Sequence, residues 1–165
     1  MKCRVINQRQ ADKLRGEKIR ELSPVAITAM LTVCEEKLHF GPEKLCKAAR
    51  EICYSYDSIA KDYISFDELK ESLEESDGVT IPYDFDHFFK YDTKEDVTAA
   101  AVYAQKAFAC AVLCTELCDK FRFGAKKAQQ AADQVCRVFD ELHQNRAYYT
   151  QKVQKFYNEY RFDIS

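Results

Sequence analysis

Residues 24–62 read PVAITAMLTVCEEKLHFGPEKLCKAAREICYSYDSIAKD, and residues 107–145 read AFACAVLCTELCDKFRFGAKKAQQAADQVCRVFDELHQN. Set 83 positions apart, the two stretches share ten identities in 39 positions without a gap. The identities include Ala26/Ala109, Thr32/Thr115, Lys37/Lys120, Lys44/Lys127, Cys53/Cys136 and Asp57/Asp140. At their centre Phe40-Gly41 matches Phe123-Gly124. The matched residues are mostly apolar and recur at helical spacing, so they describe a packed unit used twice. Each half reads helix, short Phe-Gly turn, helix, turn, helix. The expected fold is all-α, with two related three-helix units packed as one compact domain. Glycine is expected to serve the chain reversal, and phenylalanine to plug the gap between helices.

Working outward, Ser23-Pro24 predicts a helix start, with serine as N-cap and proline in the first turn. A short separate helix is expected over 12–22. Pro42 predicts a second start after Gly41, and Ser65 with Glu68 a third. Thr93 with Asp96 predicts the start of a long helix over 94–121, followed by helices over 125–144 and 148–160. The organisation is then a basic segment 1–22, a first repeat 23–77, an acidic aromatic linker 78–92 and a second repeat 93–165.

Composition supports this. Only 4 Gly and 3 Pro interrupt 165 residues, and 47% of the chain is apolar. That is enough to fill a core and scarce in breakers. The net charge of −2 creates no global field for nucleic acid or membrane. Its distribution is uneven: residues 67–96 hold 11 acidic and 3 basic side chains, while the flanking segments are each net positive.

The run Leu38-His39-Phe40-Gly41-Pro42-Glu43-Lys44-Leu45 is followed by Tyr56-Asp57-Ser58-Ile59 and Tyr63-Ile64-Ser65-Phe66-Asp67-Glu68-Leu69. It resembles small, mostly uncharacterised helical proteins of bacteriophages and prophages in Gram-positive bacteria, which carry one copy of this pattern. The resemblance covers residues 25–81. It is weaker over 108–160, where Tyr63-Ile64-Ser65 is replaced by Arg146-Ala147-Tyr148. It implies a phage or mobile-element origin and transfers no catalytic residue.

Little in the chain carries reaction chemistry. No nucleophile elbow, phosphate-cradling glycine loop or His-Glu-x-x-His occurs. Cys110, Cys114 and Cys118 share one helix face, but no Cys-x-x-Cys knuckle accompanies them, and helix packing explains them better than a metal. Cys53, Cys110, Cys114 and Cys136 are expected to be buried and reduced, in a reducing cytosol. His39 aligns with Arg122, so a polar turn explains both. Asp84-Phe85-Asp86-His87 reads as a linker anchored by its aromatics. The expectation is a protein that is not an enzyme, with neither cofactor nor metal.

The most functional-looking feature is acidic. Asp67, Glu71, Glu74 and Glu75 fall at i, i+4, i+7 and i+8 on one helix, and Glu68, Asp77, Asp84 and Asp86 extend the surface. The expected partner is a host protein with a basic surface, in the cytoplasm of a bacterial host. An inhibitor of a nucleic-acid-handling or defence protein, of the anti-CRISPR kind, is the sharpest version. The alternative is a small DNA-binding regulator using Arg9, Lys13 and Arg20, with Arg4, in the basic N-terminal segment. The second helix is a poor recognition helix by sequence, since Glu43 and Glu51 are mixed with Lys44, Lys47 and Arg50. Lys106 and Glu116 interrupt 94–121, which argues against a membrane span. Self-association to a homodimer is a structural alternative.

Overall fold

The computed structural model describes residues 6–61, 63–84 and 93–164. Six α-helices and no strand occur among them. They are α1 (Gln8–Thr32), α2 (Pro42–Ala60), α3 (Phe66–Ser72), α4 (Lys94–Phe121), α5 (Ala125–Gln144) and α6 (Arg146–Tyr160). Single π-helical turns, Val33–Lys37 and Leu73–Asp77, extend α1 and α3. The all-α expectation holds.

Helix α4 is the centre of the molecule and packs against α1, α5, α2 and α3. Its buried face is made largely of small side chains: Ala101, Ala104, Ala107, Cys110, Ala111 and Cys114. Small residues let neighbouring helices approach closely, since interaxial distance follows side-chain size. By length and composition α4 could cross a membrane, yet 67% of its apolar window is buried against the other helices. Larger side chains fill the spaces around it, with Met30, Leu31, Leu45, Ile52, Leu113, Phe139 and Phe156 all fully buried.

One expected helix start is corrected. Ser23-Pro24 lies inside α1, which runs unbroken from a capping box at Asn7 and Gln10. Proline inside a helix removes one N–H and crowds the preceding turn, typically costing about 3 kcal/mol. Here tertiary burial compensates, and a polar knot fixes the turn before the proline. The Ser23 hydroxyl donates to the Ile19 carbonyl at 2.9 Å, and Gln105 Nε2 from α4 donates to the same carbonyl at 2.6 Å. Tyr56 from α2 donates to Gln105 Oε1, closing a buried polar knot. Leu22, Val25 and Ala26 beside it are buried. Burial across the whole length of α1 outweighs a local stop signal.

The Phe-Gly turns correct a second expectation. Gly41 and Gly124 are N-caps in extended geometry, with φ −70° and −75°. A Cβ at either would meet nothing within 4 Å. The chain reverses two residues earlier, at His39 and Arg122, both left-handed with φ 56°. Phe40 N–H then donates to the Cys34 carbonyl and Phe123 N–H to the Leu117 carbonyl, both at 2.9 Å. These helix-closing bonds follow a left-handed residue, as in a Schellman motif but one residue longer, and satisfy carbonyls that the last helical turn leaves free. Gly78, at φ 67°, closes the third helix in the same way, through Val79 N–H to the Leu73 carbonyl. Glycine is therefore needed at 78 and not at 41 or 124. Gly41→Ser and Gly124→Ser should each raise stability by a few tenths of a kcal/mol, because serine is the better N-cap. Gly78→Ala should lower it by about 1 kcal/mol. Urea unfolding midpoints would show both signs.

After Gly78 the chain forms a strap rather than a strand. Val79 and Ile81 are buried, and Gln129 of α5 brackets Thr80 between them, accepting from its N–H at 2.8 Å and donating to its carbonyl at 3.0 Å. Lys70 of α3 donates to the Tyr83 carbonyl at 2.9 Å. The expected aromatic anchor Phe85 lies outside the described residues, as does the basic Arg4.

At the other end of the chain, α6 docks through Phe156 and through charge. Lys152, only 4% exposed, reaches Glu35 at 3.1 Å and Glu36 at 2.7 Å in the π turn after α1. Lys155 also bonds Glu35 at 2.7 Å. Of the C-terminal aromatics, Tyr148, Tyr149, Tyr160 and Phe162 pack against the core, while Tyr157 is half exposed.

Candidate functional site

Both Phe-Gly turns lie at the same end of the molecule. The Phe40 ring sits 4.9 Å from Phe121 and 6.1 Å from Phe123, centroid to centroid. Around this aromatic seam the first turn of α2 and the last turn of α4 enclose a groove of about 630 Å³. Lys44, Lys47 and Arg50 line it from α2, and Lys120 and Arg122 from the end of α4; Glu43 is its sole carboxylate. The five cations come from two segments about 70 residues apart in the chain, and none of them forms an ion pair among the described residues.

The aromatic wall explains how this positive charge is tolerated. Lys44 Nζ stands 4.7 Å from the Phe40 ring centroid, and Lys47 Nζ 5.1 Å from that of Phe121. The negative face of each ring attracts the ammonium, by about 0.5–1 kcal/mol at such exposed positions. Gly41 offers no side chain to cap α2, so the first N–H groups of that helix are left for another acceptor. Lys47, Arg50 and Tyr54 fall at i, i+3 and i+7, on one side of α2, and Tyr54 is 72% exposed. A basic groove thus continues into an exposed aromatic.

A second groove of about 500 Å³ opens on the other side of the seam, lined by Lys37, His39, Phe123, Lys127, Gln130 and Gln134, with Leu38 and Ala131. Lys127 Nζ stands 5.7 Å from the Phe123 ring, as Lys44 stands over Phe40. This end of the molecule is not legible in the sequence. There α2 stands as an isolated helix, where Glu43 and Glu51 dilute the charge; Lys120 and Arg122 join only when α4 folds against α2.

The expected acidic surface is placed differently. Asp67, Glu68, Glu71, Glu74 and Glu75 are all exposed on α3 and its π turn, and none takes part in an ion pair among the described residues. The π turn from Leu73 breaks the α-helical spacing, so Glu74 and Glu75 are rotated off the straight line that the sequence predicts. Asp77 is half buried and lies near Asp119, whose carboxyl is raised by burial and then by that charge. Asp84 belongs to the strap, its N–H held by Tyr103 Oη at 2.8 Å. Asp86 lies outside the described residues.

The cysteine expectation is also corrected. Cys110 and Cys114 are buried, but Cys53 is exposed and Cys136 half buried, although they align in the repeat. Cys53 faces outward from α2. Cys136 faces α4 and the strap.

No family model matches the chain, and no curated protein or solved structure shows significant similarity to it, so its site is read from its own residues.

Proposed function

We propose that this protein is a non-enzymatic binding protein that grips a phosphate backbone with the Phe-Gly end, single-stranded nucleic acid being the ligand. The observation that carries the reading is the convergence of Lys44, Lys47, Arg50, Lys120 and Arg122 on one aromatic-walled groove. A solvated helix face needs no such convergence, because its charges come from one helix and point apart. Cations track phosphates, and an exposed tyrosine offers a base a stacking surface, typically worth about 1–3 kcal/mol. Direct binding would thus use this end rather than the N-terminal segment.

The two grooves fit an origin by duplication. Equal backbone angles at His39 and Arg122, the same closing bonds and the same lysine-over-phenylalanine pairs recur 83 residues apart. On this reading the second groove is a weaker copy, with Gln130 where the first has Lys47.

Fluorescence anisotropy with a labelled single-stranded oligonucleotide at several salt concentrations tests the proposal. Binding should weaken steadily with salt, with a slope that counts the phosphates engaged. Absence of binding at low salt would overturn it.

One observation favours a second reading. The exposed carboxylates of Asp67, Glu68, Glu71, Glu74 and Glu75, without an ion pair among the described residues, suit a protein partner with a basic surface, as an anti-CRISPR-like inhibitor of phage or mobile-element origin would meet in a host cell. A bound basic protein released by Glu71→Lys/Glu75→Lys, with no oligonucleotide binding, would establish that reading instead.

A further inference from the structure

We propose that Cys110 and Cys136 form a redox-active dithiol, a modification site that a hydroperoxide converts to a reversible disulfide. The two sulfurs lie 3.2 Å apart, Cys110 on α4 and Cys136 on α5. They are therefore in contact while both are free thiols. A third group meets them: the Tyr83 hydroxyl of the strap lies 3.1 Å from Cys136 Sγ. Lys106 completes the surroundings, bound to Asp140 at 2.7 Å, one helical turn beyond Cys136.

The two sulfurs are not equivalent. Cys110 is buried, and its sulfur lies 3.5 Å from the Ala132 carbonyl as well as against Cys136. Cys136 is half buried and is the more accessible of the two. The hydrogen bond from Cys110, and then, against burial, those of Tyr83 and the charge of Lys106, hold the Cys136 thiol below the ordinary range. The same contact, with burial, pushes Cys110 well above it. Because the thiolate is the nucleophile, Cys136 is the attacking sulfur and Cys110 the resolving one.

The steps balance. The Cys136 thiolate attacks the terminal oxygen of the hydroperoxide; the O–O bond breaks, and the leaving alkoxide takes up a proton to become an alcohol. Cys136 is then a sulfenic acid. The Cys110 sulfur attacks it, the S–O bond breaks, and the departing hydroxide takes the Cys110 proton to become water. Two thiols and one hydroperoxide give one disulfide, one alcohol and one water. Two external thiols reverse the oxidation by exchange.

Cys53 is an internal control. It occupies the aligned position and is more exposed, but no second sulfur contacts it among the described residues. Exposure alone would make Cys53 react first; the dithiol makes Cys136 first. The experiment treats the full chain with one equivalent of hydrogen peroxide and maps the products by mass spectrometry. The expected product is a peptide pair joined through Cys110 and Cys136, lost on treatment with dithiothreitol. In Cys110→Ser, which keeps a donor beside Cys136 and is checked for folding by circular dichroism, the reaction should stop at a sulfenic acid on Cys136, trapped by a 1,3-dione. Faster oxidation of Cys53 than of Cys136, or over-oxidation of Cys136 in the wild-type chain without any link to Cys110, would overturn the proposal.

Discussion

Replacing Lys44, Lys47 and Arg50 together by glutamine should lower the affinity for a single-stranded oligonucleotide by about tenfold to a hundredfold at low salt. Exposed charge contacts contribute up to about 1 kcal/mol each, and three are lost. The salt dependence should change with it. Each neutralised phosphate on a single strand contributes about 0.7 to the slope of log affinity against log salt, so the slope should fall by about 2. All three side chains reach the surface at the groove and make no ion pair among the described residues, so the fold should survive, losing only the cation–π contacts of Lys44 and Lys47, about 1–2 kcal/mol together. The corresponding change at Arg9, Lys13 and Arg20 separates the two basic surfaces. If that triple variant lost the binding and the groove variant kept it, the N-terminal half of α1 would be the binding surface.

The largest stability loss is expected at Lys152→Met. This ammonium is nearly buried, and its two partners in the turn after α1 are Glu35 and Glu36. Breaking a buried pair from one side typically costs about 3–5 kcal/mol. The loss here should be nearer about 2–3 kcal/mol, because Glu35 retains Lys155 and Tyr160 and Glu36 is exposed enough to rehydrate. The pH dependence carries a sign. Burial raises the Glu35 carboxyl, but hydrogen bonds and charge from Lys155 and Lys152 outweigh it and leave it below its ordinary 4.5. A depressed carboxyl stabilises the fold above its unfolded value, and that contribution is lost as pH falls through the lower folded one. Wild-type stability should therefore drop as pH falls below about 4.5, and Lys152→Met should show a smaller drop. Denaturant titrations at neutral and acidic pH would measure both; equal acid sensitivity in the two proteins would remove Lys152 from the explanation.

The all-α class and most helix boundaries were legible because they rest on local signals. Pro42 at a helix start, the Ser65 cap and the Thr93-Asp96 capping box all stand where their chemistry places them. Pro24 was misleading for the same reason: its local preference is strong, and the burial of α1 against α4 overrides it. Alignment of Cys53 with Cys136 suggested a shared environment, but the strap covers only the second helix pair, and nothing in the repeat encodes the strap. The acidic run was visible because it is contiguous. The basic groove was not, since two of its five cations arrive from residues 120–122 through tertiary packing.

The left-handed residues at the two turns carry a further consequence. Glycine would adopt φ 56° without strain, yet the chain holds His39 and Arg122 there, each at a typical cost of about 1–2 kcal/mol. An engineer improving heat resistance would choose these two positions first for glycine. On the reading proposed here, that choice would strip one basic side chain from each groove. Thermal tolerance and ligand grip would then be opposing design goals, traded against each other at a single backbone angle that occurs twice.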